Sequence, residues 1–112
     1  MDIIDIIDIR INCPDEAVAE RIAGELVDRR LAACSNVYPV IRSAFRWKGR
    51  IERESEVPLL VKTQARLFNA VVDAVRAIHP YETPSIIGVE VAHVNDDYRD
   101  WVIAETGGAG GS

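Results

Sequence analysis

His79-Pro80-Tyr81-Glu82-Thr83-Pro84 sets an imidazole, a phenol and a carboxylate within six residues. Each proline biases the residue before it toward extended backbone, so His79 and Thr83 leave the helical region and the corner is stiff. A histidine held this way can bind a borderline metal or carry protons near neutral pH. Its ring can equally bond a backbone carbonyl and only anchor the turn. Tyr81 and Glu82 carry the same pair of readings, as ligands or as residues of a corner and an interface.

Four other groups of residues could do chemistry. Lys62, Glu54 and Glu56, with Arg46 and Arg53, could line an ion-binding cleft between subunits. They could also form a solvated strand face or intersubunit ion pairs, each contributing only about 0–1 kcal/mol. Cys34 with His79 is the one candidate for a nucleophile and base. The pattern supplies neither an oxyanion donor nor a partner for the imidazole. Ala32-Ala33-Cys34 is a small-residue run suited to close packing and an inert thiol. No enzymatic activity is therefore expected. Asn95-Asp96-Asp97 offers oxygen ligands, but the spacing fits no EF-hand loop and is better read as a helix start. Trp47, Tyr98 and Trp101 are read as packing anchors at subunit interfaces, since aromatic rings combine large area with a polar handle.

The elements that must position these groups follow from composition and periodicity. At 112 residues with 48% apolar and 28% charged side chains, the chain reads as one folded domain over residues 1–105. The glycine-rich tail 106–112 has almost nothing to bury and is expected to be disordered. A net charge of −5 speaks against nucleic-acid binding, and Arg29-Arg30 is a pair rather than a patch. Aspartates at positions 2, 5 and 8 interrupt the apolar start, which lacks the form of a signal peptide. No segment approaches the roughly 20 apolar residues of a membrane helix, so a cytoplasmic location is expected. Cys13 and Cys34 make neither a disulfide framework nor a four-ligand zinc set and read as reduced small hydrophobes.

Residues 3–12 read as a strand buried on both faces through much of its length. Pro14-Asp15-Glu16 then opens a helix whose apolar stripe is Val18, Ala19, Ile22, Ala23, Leu26 and Val27, with Arg29 and Arg30 in its last turn. Residues 31–47 are extended, with Pro39 imposing an edge, a bend or a bulge. Lys48-Gly49 marks a tight turn, and residues 51–63 return as a strand that Pro58 again marks as edge or bulged. A second helix spans residues 65–77, a last long strand residues 85–93, and Asn95 starts a short final helix. The order is two βαβ halves joined by a hairpin: an α+β, ferredoxin-like (split βαβ) antiparallel sheet with two helices on one face and a short C-terminal helix. Hairpin arms this long exceed what so small a domain can cover, and exposed edges invite pairing, so an oligomer is expected.

The chain resembles the CutA family of divalent-cation tolerance proteins. Pro14-Asp15-Glu16-Ala17, Leu31-Ala32-Ala33-Cys34-Ser35-Asn36, Trp47-Lys48-Gly49 and Glu54-Ser55-Glu56-Val57 carry the likeness. So do Lys62-Thr63, the His79–Pro84 corner and Tyr98-Arg99-Asp100-Trp101. In this order over residues 3–103 they form a specific set. The resemblance implies a homotrimer with hairpins paired between subunits, a role in divalent-metal tolerance (copper especially), and no established catalysis. It also implies copper ligands: a cysteine late in the first strand, a histidine ending the second helix and a glutamate after the corner. Those positions are Ile11, Ile78 and Ser85 here, so that ligand set is not carried over; Cys13 and His79 are the weaker candidates. Two further readings remain. One is a small-molecule or signal-binding trimer similar to nitrogen-regulatory PII proteins, with its ligand between subunits near Lys62, His79 and Tyr81. The other is a structural trimer that scaffolds a different protein.

Overall fold

In the computed structural model, residues 5–107 are described. Strand β1 (Ile6–Cys13) buries Ile7, Ile9, Ile11 and Cys13 on one face. Its other face is less covered than expected: Ile6 is buried, Asp8 and Asn12 are half-buried, and Arg10 is exposed. Residues 3 and 4 of the expected strand lie outside the described residues.

Helix α1 (Glu16–Asp28) starts where Asp15 Oδ1 accepts a 2.9 Å bond from the Val18 amide, which satisfies one of the free first-turn N–H groups. Ala19, Ile22, Ala23 and Leu26 face the core, while Val27 lies outside the stripe and is exposed. Arg29 and Arg30 sit just past the last turn rather than in it. Arg30 takes positive φ (59°), and the bonds Leu31 N to Leu26 O and Arg30 N to Val27 O close the helix end. Arginine in place of glycine at that position is tolerated with its side chain turned to Glu105, 3.6 Å away.

The extended run 31–47 is two strands, β2 (Cys34–Val37) and β3 (Ile41–Trp47), and both pair with β4 (Arg50–Gln64). The break has a simple cause. Val37 pairs with Leu59 and Ile41 with Glu56, while the Tyr38 amide bonds Pro58 O at 2.9 Å. Pro39 and Val40 therefore oppose the single residue Val57, which is a β-bulge. Pro58 is not on an edge, because Asn12 of β1 pairs with it on the other side. A strand residue's N–H and C=O face the same neighbour, so the missing Pro58 N–H falls on the bulged side. Lys48 (φ 51°) and Gly49 (φ 80°) make the two-residue hairpin turn, whose positive angles match strand twist.

A 3-10 turn (Ala65–Leu67) leads into α2 (Phe68–Ile78), which buries Val71, Ala74 and Val75. It ends at His79, where backbone turns extended (φ −66°, ψ 131°) ahead of Pro80. β5 (Ile86–Glu90) is shorter than the expected 85–93. Among the described residues it pairs only with β1, and its last ladder bond is Val91 N to Ile6 O, at the described start of that strand. α3 (Asp96–Glu105) closes the described chain; Asp97 Oδ1, rather than the Asn95 side chain, takes the Tyr98 amide.

The sheet order is β2-β4-β1-β5, all antiparallel, with β3 continuing along β4 beyond the bulge. α1 and α2 bury their stripes in one cluster with Ile9, Ile11, Leu59 and Val61. Cys34, Lys62 and Asp8 lie side by side on the opposite face, where Tyr98 of α3 meets them. No helix among the described residues is long and apolar enough to cross a membrane.

The tail needs a correction at its start. Thr106 and Gly107, expected in the disordered segment, are buried. Thr106 Oγ1 donates to Val102 O at 2.7 Å and accepts from Gln64 Nε2 at 2.9 Å, and the Gly107 amide donates to Arg30 O at 2.7 Å. Residues 108–112 of that expectation lie outside the described residues. Thr106→Val removes this hydroxyl and leaves the Gln64 amide short of a partner in a buried place. Denaturant unfolding is expected to show a loss of about 1–3 kcal/mol; an unchanged midpoint would contradict the clamp.

Candidate functional site

The corner after α2 is held by the histidine ring. His79 is buried, its Nε2 donates to the Asn12 carbonyl at 2.8 Å, and its Nδ1 accepts from the Tyr81 amide at 3.2 Å. Both ring nitrogens are thus used within the chain. The ring lies 4.7 Å from that of Tyr81 at a 57° tilt. The Tyr81 hydroxyl donates to Glu56 Oε2 at 3.2 Å, which ties the corner to β4 just below the bulge.

Between this corner and one face of the β3–β4 ribbon lies a groove of about 850 Å³. Ile41 pairs with Glu56, Ser43 with Glu54, Phe45 with Glu52 and Trp47 with Arg50, so these residues share that face. Asn12, Tyr81, Glu82 and Ser85 stand across from them. Lys48 Nζ reaches back over the Trp47 ring, 5.6 Å from its centroid, and sits 3.7 Å from Glu82 Oε1.

The electrostatics are negative. Burial first, then the charge and hydrogen bond of Glu56 and the charge of Glu54, push the Tyr81 phenol up to about 12. Burial first, then Asp15 and Glu56, push the Cys13 thiol up to about 11. Cys13 thus stays a protonated, buried thiol at neutral pH, a poor form for binding a soft metal.

Lys62 is elsewhere. Its Nζ donates to Asn36 Oδ1 at 3.0 Å, and it stands six steps along the strand, roughly 20 Å, from Glu56. Within one chain the structure therefore groups His79, Tyr81 and Glu82 but not Lys62. Lys62 belongs to a second polar cluster under α3, with Asp8, Cys34 and Tyr98, where burial first and Cys34 next raise the Tyr98 phenol. Cys34 and His79 are not brought together. The Tyr98 and Trp101 ring centroids lie 5.4 Å apart at a 41° tilt. Trp47 and Trp101 remain partly exposed, so neither is a packing anchor within the chain.

The positions of the implied copper ligands offer no such set. Ile11 is fully buried in the core, Ile78 packs against it, and Ser85 is exposed at the groove. Among the described residues no three His, Cys, Asp or Glu side chains are arranged to hold a metal ion. Sequence reasoning missed Asn12 and Asn36. Asn36 was marked only as part of the Leu31–Asn36 run, with no role attached, and Asn12 acts through its main-chain carbonyl, which no residue type announces.

A model of the family described as CutA1 divalent ion tolerance protein matches residues 7–105. The chain belongs to the CutA1 family. It is 47% identical over 92 residues to the human Protein CutA, covering 82% of this chain and 51% of that protein. The chain thus spans about half the length of that relative. It is 42% identical over 97 residues to the divalent-cation tolerance protein CutA of Thermus thermophilus, covering 87% of this chain and 94% of that one. The solved structure of a divalent cation tolerance protein from Thermus thermophilus superposes with a TM-score of 0.89 at 40% identity, over 91% of this chain and 99% of the other. The α+β fold with an antiparallel sheet and three helices is that of the CutA1 structures.

Tyr81 and Cys13 both hold their protons more tightly folded than unfolded. Their contribution to stability is complete below pH 9. It is lost as pH rises, from 9.0 to about 11 for Cys13 and from 10.0 to about 12 for Tyr81. The melting temperature is expected to fall across that window, and Tyr81→Phe with Cys13→Ala to flatten the fall. A slope untouched by both changes would contradict the assignment.

Proposed function

We propose that this CutA1-family chain is a homotrimeric, ferredoxin-like, cytoplasmic protein of divalent-cation tolerance, copper included, that works by binding or assembly rather than by turnover. The ribbon carries this reading. Among the described residues β3 pairs with β4 alone, so its outer edge offers a row of unpaired N–H and C=O groups. Val40, Ile41, Phe45, Trp47 and Ile51 are exposed along it, Val40 by 63% and Ile51 by 55%. Apolar surface of this kind on a protruding hairpin favours coverage by sister copies. The strand order, with β1 and β4 central, supports the split βαβ plan.

The tolerance role comes from the family, and the name of the Thermus thermophilus relative states it for that protein. In this chain it does not run through a cysteine, histidine and glutamate at positions 11, 78 and 85, which hold Ile11, Ile78 and Ser85. His79 is committed to Asn12 and Tyr81, and Cys13 to the core.

Calorimetric titration of chelator-stripped protein with Cu²⁺ tests this. The expected trace shows no stoichiometric site at micromolar copper, and Cys13→Ser and His79→Ala leave it unchanged. A saturable site abolished by either substitution, in protein that still folds, would place copper on these residues and overturn their exclusion, leaving binding rather than assembly as the route to tolerance.

A further inference from the structure

The β3–β4 ribbon is sorted by sign. Glu52, Glu54 and Glu56 stand on the face that carries Ile41, Ser43, Phe45 and Trp47, with Arg50 at the turn end. The other face carries Arg42, Arg46 and Arg53 beside Ala44, Ile51 and Ser55, and no acid. Opposite charges directly across an antiparallel ladder stabilise it, yet this ribbon has no such pair. Arg42 faces Ser55, Arg53 faces Ala44 and Arg46 faces Ile51, while the glutamates face Ile41, Ser43 and Phe45. Among the described residues none of these arginines or glutamates makes an ion pair. The three arginines are exposed.

The two charged rows also share a spacing. Glu52 and Glu56 are four residues apart on β4, Arg42 and Arg46 four apart on β3, about 13 Å in each case. Glu54 lies midway along the acidic row, and Arg53, opposite Ala44, lies midway along the basic one. Laid over each other in either direction, the rows bring Arg53 to Glu54 and each outer arginine to an outer glutamate. Phe45 and Trp47 flank the glutamates, and guanidinium groups stack well on aromatic faces. The groove of about 850 Å³ in front of the acidic face has room for the arginine side chains of a second ribbon. Symmetry sharpens the argument. Two ribbons stacked face to face about a two-fold axis would use the same patch twice and set like charges together. Base on acid is a heterologous contact, the kind that closes into a ring.

We propose that charge directs the assembly: the arginine face of one β3–β4 ribbon seats on the glutamate face of a sister copy, with Arg53 on Glu54 at the centre. This rests on the homotrimer reading and names the surfaces that meet in it. The acidic groove is incomplete within one chain, and the sister copy's arginines complete it.

A double-mutant cycle on the full chain tests it, read by light scattering coupled to size exclusion over a dilution series. Arg53→Glu and Glu54→Arg should each raise the concentration at which trimers dissociate by about tenfold or more, since like charges across an interface are costly. The doubly reversed chain should recover most of that loss. Adjacent strand residues point to opposite faces, so Arg53 and Glu54 do not meet within a chain, and the recovery reports contact between copies. Arg21→Glu, an equal change of charge on the exposed side of α1, should leave dissociation unchanged. Three results overturn the proposal and leave the trimer standing. In the first, both single reversals hold together as well as the native trimer. In the second, the double reversal recovers nothing. In the third, Arg21→Glu weakens assembly equally, which would put net charge in place of pairing. A native chain that is folded and single overturns the proposal together with the trimer reading.

Discussion

One strand has to live in two environments. β4 runs fifteen residues from Arg50 to Gln64; its second half is sheet interior between β1 and β2, and its first half is one arm of an uncovered ribbon. The bulge at Pro39 and Val40, opposite Val57, marks the change. Inside the bulge, Val57, Leu59 and Val61 point at the helices and are almost fully buried. Outside it the extra residue resets the pairing, so that Glu56, Glu54 and Glu52 share a face with Ile41, Ser43, Phe45 and Trp47. A slip of one residue exchanges the two faces of a strand. The charge pattern of the groove therefore depends on that single inserted residue.

The corner after α2 is built onto this frame. His79 fastens the helix end to the main chain of β1, and Tyr81 fastens the corner to β4. Each bond is worth about 0.5–1.5 kcal/mol net, and together they span three elements distant in sequence. The stiffness given by Pro80 and Pro84 makes such bonds effective, since little chain entropy remains to be lost. The same bonds withdraw the imidazole from ligand chemistry.

Much of this was legible in the residues. The helix start at Pro14-Asp15, the Lys48-Gly49 turn and the helix end at His79-Pro80 are local events, governed by φ and by capping, and the structure has them where the sequence places them. Pro39 signalled a disturbance correctly because a missing N–H has few tolerated places in a ladder. For Pro58, read as edge or bulge, the edge reading fails and the bulge reading holds: an interior strand can hold proline if its bare nitrogen faces a neighbour's bulge. The shortened β5 and the buried Thr106 were illegible because they depend on where another strand ends and on Gln64, 42 residues away. The grouping of Tyr81 with Glu56, and the separation of Lys62 from both, depend on register, which periodicity alone does not supply. The two prolines located the corner but not its wiring.

The central claim is that the ribbon's apolar, edge-exposed arm is completed by sister copies. Light scattering coupled to size exclusion at micromolar protein tests it most directly. A stable species of three 12.4 kDa chains is the outcome the account predicts. A folded, cooperatively melting single chain of 12.4 kDa would contradict it.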